Sequence, residues 1–129
     1  MSYNRATMKN TKIIWGIILV VVVVGALIYS SKKIPGKYDT FAVCLKDKGT
    51  TFYGAFWCPH CQNQKKMFGN SAKLLPYVEC STPNGQDMLP VCRDKGVQSY
   101  PTWVFADDSR LSGEISLKTL SDKTSCPLP

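Results

Sequence analysis

Residues Ile13 to Ser31 read IIWGIILVVVVVGALIYSS, 19 residues without a charge. A surface helix of a globular protein keeps one polar face, and this segment has none. At ~1.5 Å per residue a helix of this length reaches roughly 28 Å, close to the ~30 Å hydrocarbon core of a bilayer. Trp15 and Tyr29 stand near its ends, where amphipathic rings favour the headgroup region. The competing reading is a cleaved signal peptide, whose apolar core runs ~7–15 residues and ends in a small-residue cleavage site. The run here is longer, and GALIYSS matches such a site poorly. The expectation is an uncleaved, single-pass anchor over 13–31 behind a short tail, 1–12.

The charge supports this division. The chain has 129 residues and a net charge of +7, which on its own resembles a nucleic-acid signal. Yet Arg5, Lys9, Lys12, Lys32, Lys33 and Lys37 all precede residue 38, and no acid does, which gives +6. The rest carries ten basic and nine acidic residues, a net +1. Basic residues therefore flank the apolar run and leave no phosphate-binding face. They fall almost equally on both sides, so the positive-inside rule is nearly tied. The cysteines break the tie. All six lie after the apolar run, which suits an oxidising compartment. The tail is expected in the cytoplasm and the domain on the extracytoplasmic side, periplasmic or lumenal.

The segment 32–39 reads as a linker broken by Pro35-Gly36, and 40–129 as one small domain. TFAVCLKDKG suggests a helix ended by Gly49. TTFYGAFW, rich in β-branched and aromatic residues, suggests a buried strand. CPHCQNQKKMFGNSAKLL suggests a helix that breaks near Gly69-Asn70. PYVEC is a short strand, STPNGQ a turn, DMLPVCRDKG a helix, and YPTWVF and LSGEI are strands. SLKTLSDKTSC closes the order αβαβαββα as a helix with Ser116 as N-cap.

Cys58 and Cys61 follow the first strand in the stretch FWCPHC, with the single histidine of the chain, His60, between them. Disulfide exchange needs one thiolate that attacks and a second thiol that resolves the mixed disulfide. Two intervening residues on the first turn of a helix bring both sulfurs to its end. There the helix dipole and unpaired N–H groups favour the thiolate of the first cysteine. Pro59 suits the first helical turn. In this reading Cys58 attacks and Cys61 resolves. His60 tunes the couple by donating to the sulfur or attracting it, and Trp57 forms an apolar substrate rim. Two other readings stand beside it. With Cys80 and Cys92 a four-thiolate zinc site is conceivable, although zinc ribbons usually show a second close pair. The other is a static structural bridge. A second motif, SYPTWVF, places Tyr100-Pro101 at the start of a strand, where a proline can be cis and can stop edge pairing.

FYGAFWCPHC followed by SYPTWVF resembles the thioredoxin superfamily. Within it, the stretches FAVCLKDKG, YGAFWCPHCQNQKKMFG, PYVEC and YPTW resemble the thioredoxin-like domain fused to, or encoded beside, vitamin K epoxide reductase homologues of bacteria and plants. The similarity runs from about Phe41 to Cys126. It implies an α/β, thioredoxin-like fold with a central mixed sheet of about four strands flanked by helices. It maps Cys58 and Cys61 onto the active dithiol and Pro101 onto a cis-proline facing it, with Tyr100 offering its backbone to substrate. It also suggests that Cys80 pairs with Cys92, which leaves Cys44 and Cys126 as the remaining pair unless Cys44 is a free buried thiol. The Pro59-His60 dipeptide is that of the bacterial periplasmic disulfide oxidase. One departure is that the strand before the dithiol carries no acid. Phe52 stands where cytosolic thioredoxins carry a buried aspartate, which weakens a reductase reading.

The expected function is a membrane-anchored thiol:disulfide oxidoreductase that oxidises cysteines of exported proteins. A separate quinone-reducing membrane protein, resembling a vitamin K epoxide reductase homologue, would re-oxidise it. Neither a cofactor nor a metal ion in the domain is expected. The alternatives are a reductase or isomerase of the same fold, or a disulfide-rich anchored binding module with a static bridge.

Overall fold

A computed structural model of the chain describes residues 4–31 and 34–129. Residues 1–3 of the expected tail and Lys32-Lys33 of the expected linker lie outside the described residues. The chain divides into two compact units near residue 34.

The first unit is one helix, α1, Asn4–Ser31. It begins within the stretch expected as a tail, because nothing between Asn4 and Lys12 breaks a helix. Its segment Thr11–Tyr29 has a mean hydropathy of 2.6 and is long and apolar enough to cross a membrane. A signal sequence near an N-terminus meets the same measure.

The second unit contains α2 (Asp39–Asp47), β1 (Thr51–Gly54), α3 (Pro59–Phe68), a 3-10 helix (Gly69–Leu74), β2 (Tyr77–Glu79), α4 (Pro90–Arg93), β3 (Thr102–Val104), β4 (Arg110–Ser112) and α5 (Leu117–Thr124). The strands form one sheet in the order β2-β1-β3-β4. β1 runs parallel to β2 and antiparallel to β3, and β3 runs antiparallel to β4. This mixed four-stranded sheet flanked by helices is consistent with a thioredoxin-like fold.

The period of two along each strand decides what each face buries. Phe52 on β1 stands opposite Trp103 on β3, and their rings stack at 4.6 Å between centroids. Phe41 from α2, Phe68 from α3 and Leu120 from α5 complete that core, all at most 1% exposed. Each such side chain contributes roughly 1.5–3 kcal/mol by leaving water. Tyr53 and Val104 point to the other face, where a smaller cluster includes Cys80, Cys92 and Val97.

Local chemistry sets the ends of the elements. Ser116 caps α5 by accepting from the Thr119 N–H. α3 stops at Gly69, whose φ of +53° a side chain would disfavour. The helix expected over Asp87–Gly96 is a single turn, α4. Pro90 occupies its first turn, and the preceding residues are committed elsewhere, with Met88 bridged antiparallel to Ser81. The last strand lies at Arg110–Ser112, earlier than LSGEI suggests. Gly113 makes the next bond in the same register, donating to the Pro101 carbonyl at 2.8 Å, and its φ of +92° turns the chain out of the strand.

Candidate active site

β1 delivers the chain to the end of the sheet at Gly54. Ala55 then accepts from the Cys58 N–H at 3.0 Å, closing a tight turn. Cys58 is the N-cap of α3, in an extended conformation, and Pro59 opens the helix. The Cys58 sulfur accepts from the Cys61 N–H at 3.4 Å, so it takes up one of the helix's unpaired donors, as a hydroxyl does at an ordinary cap. Both cysteines are free thiols. Cys58 is 5% exposed and Cys61 fully buried. Burial pushes the Cys61 thiol up to about 12, the Cys58 sulfur adds to this, and a backbone hydrogen bond at Ala55 and then the Lys65 charge oppose it.

Pro101 follows Tyr100, whose carbonyl lies at this helix end. Its peptide bond with Tyr100 is cis, and its side chain is buried. The Tyr100 carbonyl is not free, since the Cys58 thiol donates to it at 3.7 Å. Trp57 keeps half of its surface exposed. Its indole N–H donates to Ser81 Oγ at 2.8 Å, and its ring meets Tyr100 edge-on. With Phe56, also about half exposed, it forms an apolar rim beside the dithiol.

His60 differs from expectation. Its Nδ1 lies 2.6 Å from Glu114 Oε1 rather than on a sulfur. The same oxygen accepts from Asn63 Nδ2 at 3.1 Å. Hydrogen bonds from His60 and then Asn63 hold the Glu114 carboxyl below its ordinary range. One residue on, Ile115 is tied to the fully buried Gln64 through both its N–H (2.7 Å) and its carbonyl (2.9 Å). The segment after β4 is thereby fastened along α3.

The remaining cysteines are paired. Cys80 bonds to Cys92 and Cys44 to Cys126. Cys80 and Cys92 are thus not thiolates that could join Cys58 and Cys61 in a four-sulfur site.

Several residues at this end of the sheet carry no motif in the sequence. Gly54 is needed for close approach. A Cβ there would lie 2.9 Å from Cys61 Sγ and 3.0 Å from the Tyr77 ring. Glu79, paired in register with Gly54 across the sheet, accepts from Phe56 N–H at 3.2 Å, Ser81 N–H at 2.9 Å and Tyr77 O–H at 2.7 Å. Lys65 lies over the Tyr77 ring, 3.4 Å from its centroid. Of these, only Lys65 leaves a trace in the sequence, by its i+4 spacing from Cys61 on one helix face.

Known proteins similar to this chain share one chemistry. Over 84 residues it is 45% identical to thiol-disulfide oxidoreductase LTO1 of Arabidopsis thaliana, covering 62% of this chain and 22% of that protein. Over 101 residues it is 26% identical to protein disulfide isomerase-like 5-1 of Oryza sativa subsp. japonica, covering 74% of this chain and 69% of that protein. The chain thus spans about a fifth of the first relative's length and about two thirds of the second's. No protein-family model matches the chain. The two similarities support a thiol-disulfide oxidoreductase.

Proposed function

We propose that this chain is a membrane-anchored thiol:disulfide oxidoreductase with a thioredoxin-like catalytic domain on the extracytoplasmic side. It oxidises cysteines of exported proteins and is re-oxidised by a membrane partner resembling a vitamin K epoxide reductase homologue. The observation that carries the reading is the Cys58–Cys61 pair at the N-terminus of α3, held as free thiols in a domain whose other four cysteines are bonded. The paired cysteines also support an oxidising compartment, and the apolar α1 supports the anchor. The partner rests on the resemblance of the CPHC and YPTW stretches.

In the oxidised protein, a substrate thiolate attacks Cys58 Sγ, the less enclosed sulfur. A mixed disulfide forms, the Cys58–Cys61 bond breaks, and its electron pair leaves on Cys61. A second substrate thiolate then attacks the substrate sulfur of the mixed disulfide. The substrate gains a disulfide and Cys58 departs as a thiolate, which the helix end and the Cys61 N–H receive. Trp57, Phe56 and the backbone near Tyr100 hold the substrate segment during both steps.

The test is transfer to a reduced two-cysteine peptide. One peptide disulfide should form per oxidised protein, and neither Cys58→Ser nor Cys61→Ser, which hold no Cys58–Cys61 bond to transfer, should form any. Offered the disulfide form of the peptide instead, Cys61→Ser should accumulate a mixed disulfide on Cys58, with the other peptide sulfur leaving as the thiolate. Failure of the oxidised protein to transfer its disulfide would refute the reading. Reshuffling of a scrambled peptide without net oxidation would favour the isomerase alternative.

A further inference from the structure

When the Cys58–Cys61 bond opens, the electron pair lands on a buried sulfur, and a buried anion without a counter-charge is costly. The strand before the dithiol offers none, because the aromatic ring of Phe52 occupies the core there. The counter-charge comes instead from α3, over the Tyr77 ring that packs against Phe52. Cys61 Sγ and the Tyr77 ring abut the same point beside Gly54, where a Cβ would touch both. Lys65, one turn beyond Cys61 on α3, lays its ammonium on the Tyr77 ring. The Tyr77 hydroxyl is committed to Glu79 Oε2, and the other Glu79 oxygen takes two backbone N–H groups. That carboxylate is therefore a fixed negative charge, and the ring is fixed by it in turn.

We infer that Lys65 is the positioning residue for the resolving thiol: its ammonium, placed by the Tyr77 ring and the Glu79 carboxylate, is the counter-charge for the Cys61 thiolate whenever the Cys58–Cys61 bond opens. The inference rests on the proposed dithiol exchange and adds the group that makes its second sulfur a workable leaving group. The step is balanced within the chain and its substrate. The incoming substrate thiolate bonds to Cys58, the electron pair goes to Cys61, and the new thiolate takes a proton from solvent as exchange is completed.

The groups that interact with Cys61 are Cys58 and Lys65 from α3, the Ala55 backbone between β1 and α3, which also favours its thiolate, Tyr77 from β2 and Tyr100 before β3. Burial holds both tyrosines above their ordinary range, so they stay neutral at neutral pH. Burial lowers the Lys65 ammonium, and Glu79 opposes that. Lys65 is thus the cation among these groups, and Glu79 keeps it charged.

The experiment uses the full chain with Cys58→Ser, in which Cys61 is the only unpaired thiol. The rate of iodoacetamide alkylation against pH reads its thiolate fraction, and near-UV circular dichroism confirms the fold. Lys65→Met should displace the profile to higher pH, leaving about tenfold less thiolate at a given pH. Lys65→Arg, which keeps the charge, should return most of it. A Lys65→Met profile that superposes on the parent overturns the inference, as does an arginine variant displaced as far as the methionine one. Neither outcome depends on turnover, so a failure here is distinct from a failure of the peptide-oxidation test.

Discussion

The cysteines at the N-terminus of α3 and those that tie the domain together share a chemistry but differ in what their bonds constrain. Cys44–Cys126 joins α2 to the chain end across a separation of 82 residues. Cys80–Cys92 joins the end of β2 to α4 across 12. Opening either would free a long stretch of backbone in the unfolded chain. The Cys58–Cys61 bond encloses only Pro59 and His60, which the first turn of α3 already orders. Opening it changes little beyond the two sulfurs. One pair can therefore cycle between states while the other two define the scaffold that holds it. The surroundings add to this contrast. Cys58 sits at helix N–H groups beside an exposed aromatic rim. Burial alone does not separate the pairs, since Cys61 is as buried as Cys80, Cys92 and Cys126, and Cys44 is more exposed than Cys58.

The largest effect that would sharpen this contrast is on stability. Replacing Cys44 and Cys126 together by alanine should cost ~4–5 kcal/mol, and replacing Cys80 and Cys92 ~3 kcal/mol, by loop length. Urea unfolding measures both. Replacing Cys58 and Cys61 should cost far less. Both bridge-deleted proteins, where still folded, should oxidise the two-cysteine peptide. Loss of exchange with either bridge would mean that the scaffold and the reactive pair are not separable.

A smaller effect distinguishes the two sulfurs of the reactive pair. The Cys61 thiol titrates at about 12 in the fold, above the ordinary 9.0 that an unfolded chain approaches. An acid raised in the folded state stabilises fully below its unfolded value, and this contribution is lost as pH rises toward the folded value. The Cys58→Ser protein should therefore lose stability above pH ~9, by at most ~1.4 kcal/mol per pH unit, relative to the Cys58→Ser/Cys61→Ala protein. Tyr77 is present in both and cancels. Parallel curves between pH 8 and ~10.5 would contradict the burial assigned to Cys61.

Local signals made much of this molecule legible in the sequence. The β-branched and aromatic run before Cys58, Pro59 at the first helical turn and Ser116 before its helix each act within a few residues, and each element appears where they place it. The Cys80–Cys92 pairing came from resemblance, and Cys44–Cys126 only as the pair left over, since spacing alone allows three connectivities. The features that were not legible arrive by tertiary contact. Glu79 reaches the Phe56 N–H just before the dithiol only because β2 pairs in parallel with β1. Glu114 reaches His60 only because the chain turns back along α3 after β4. Gln64 reads as a solvated helix residue, yet it is fully buried because Ile115 and the Trp103 indole satisfy its amide. Gly54 reads as a strand end and is in fact the space that Cys61 needs.

The central claim is that one cysteine pair of this chain cycles while two do not. It is tested most directly by equilibrating the protein in glutathione buffers of graded potential and trapping its thiols with a mass-tagging maleimide. The account predicts that Cys58 and Cys61 alone change state, with a midpoint between roughly −120 and −230 mV, while the other four cysteines stay bonded throughout. A Cys58–Cys61 bond that remains closed across that range, or six cysteines that open together, would contradict it.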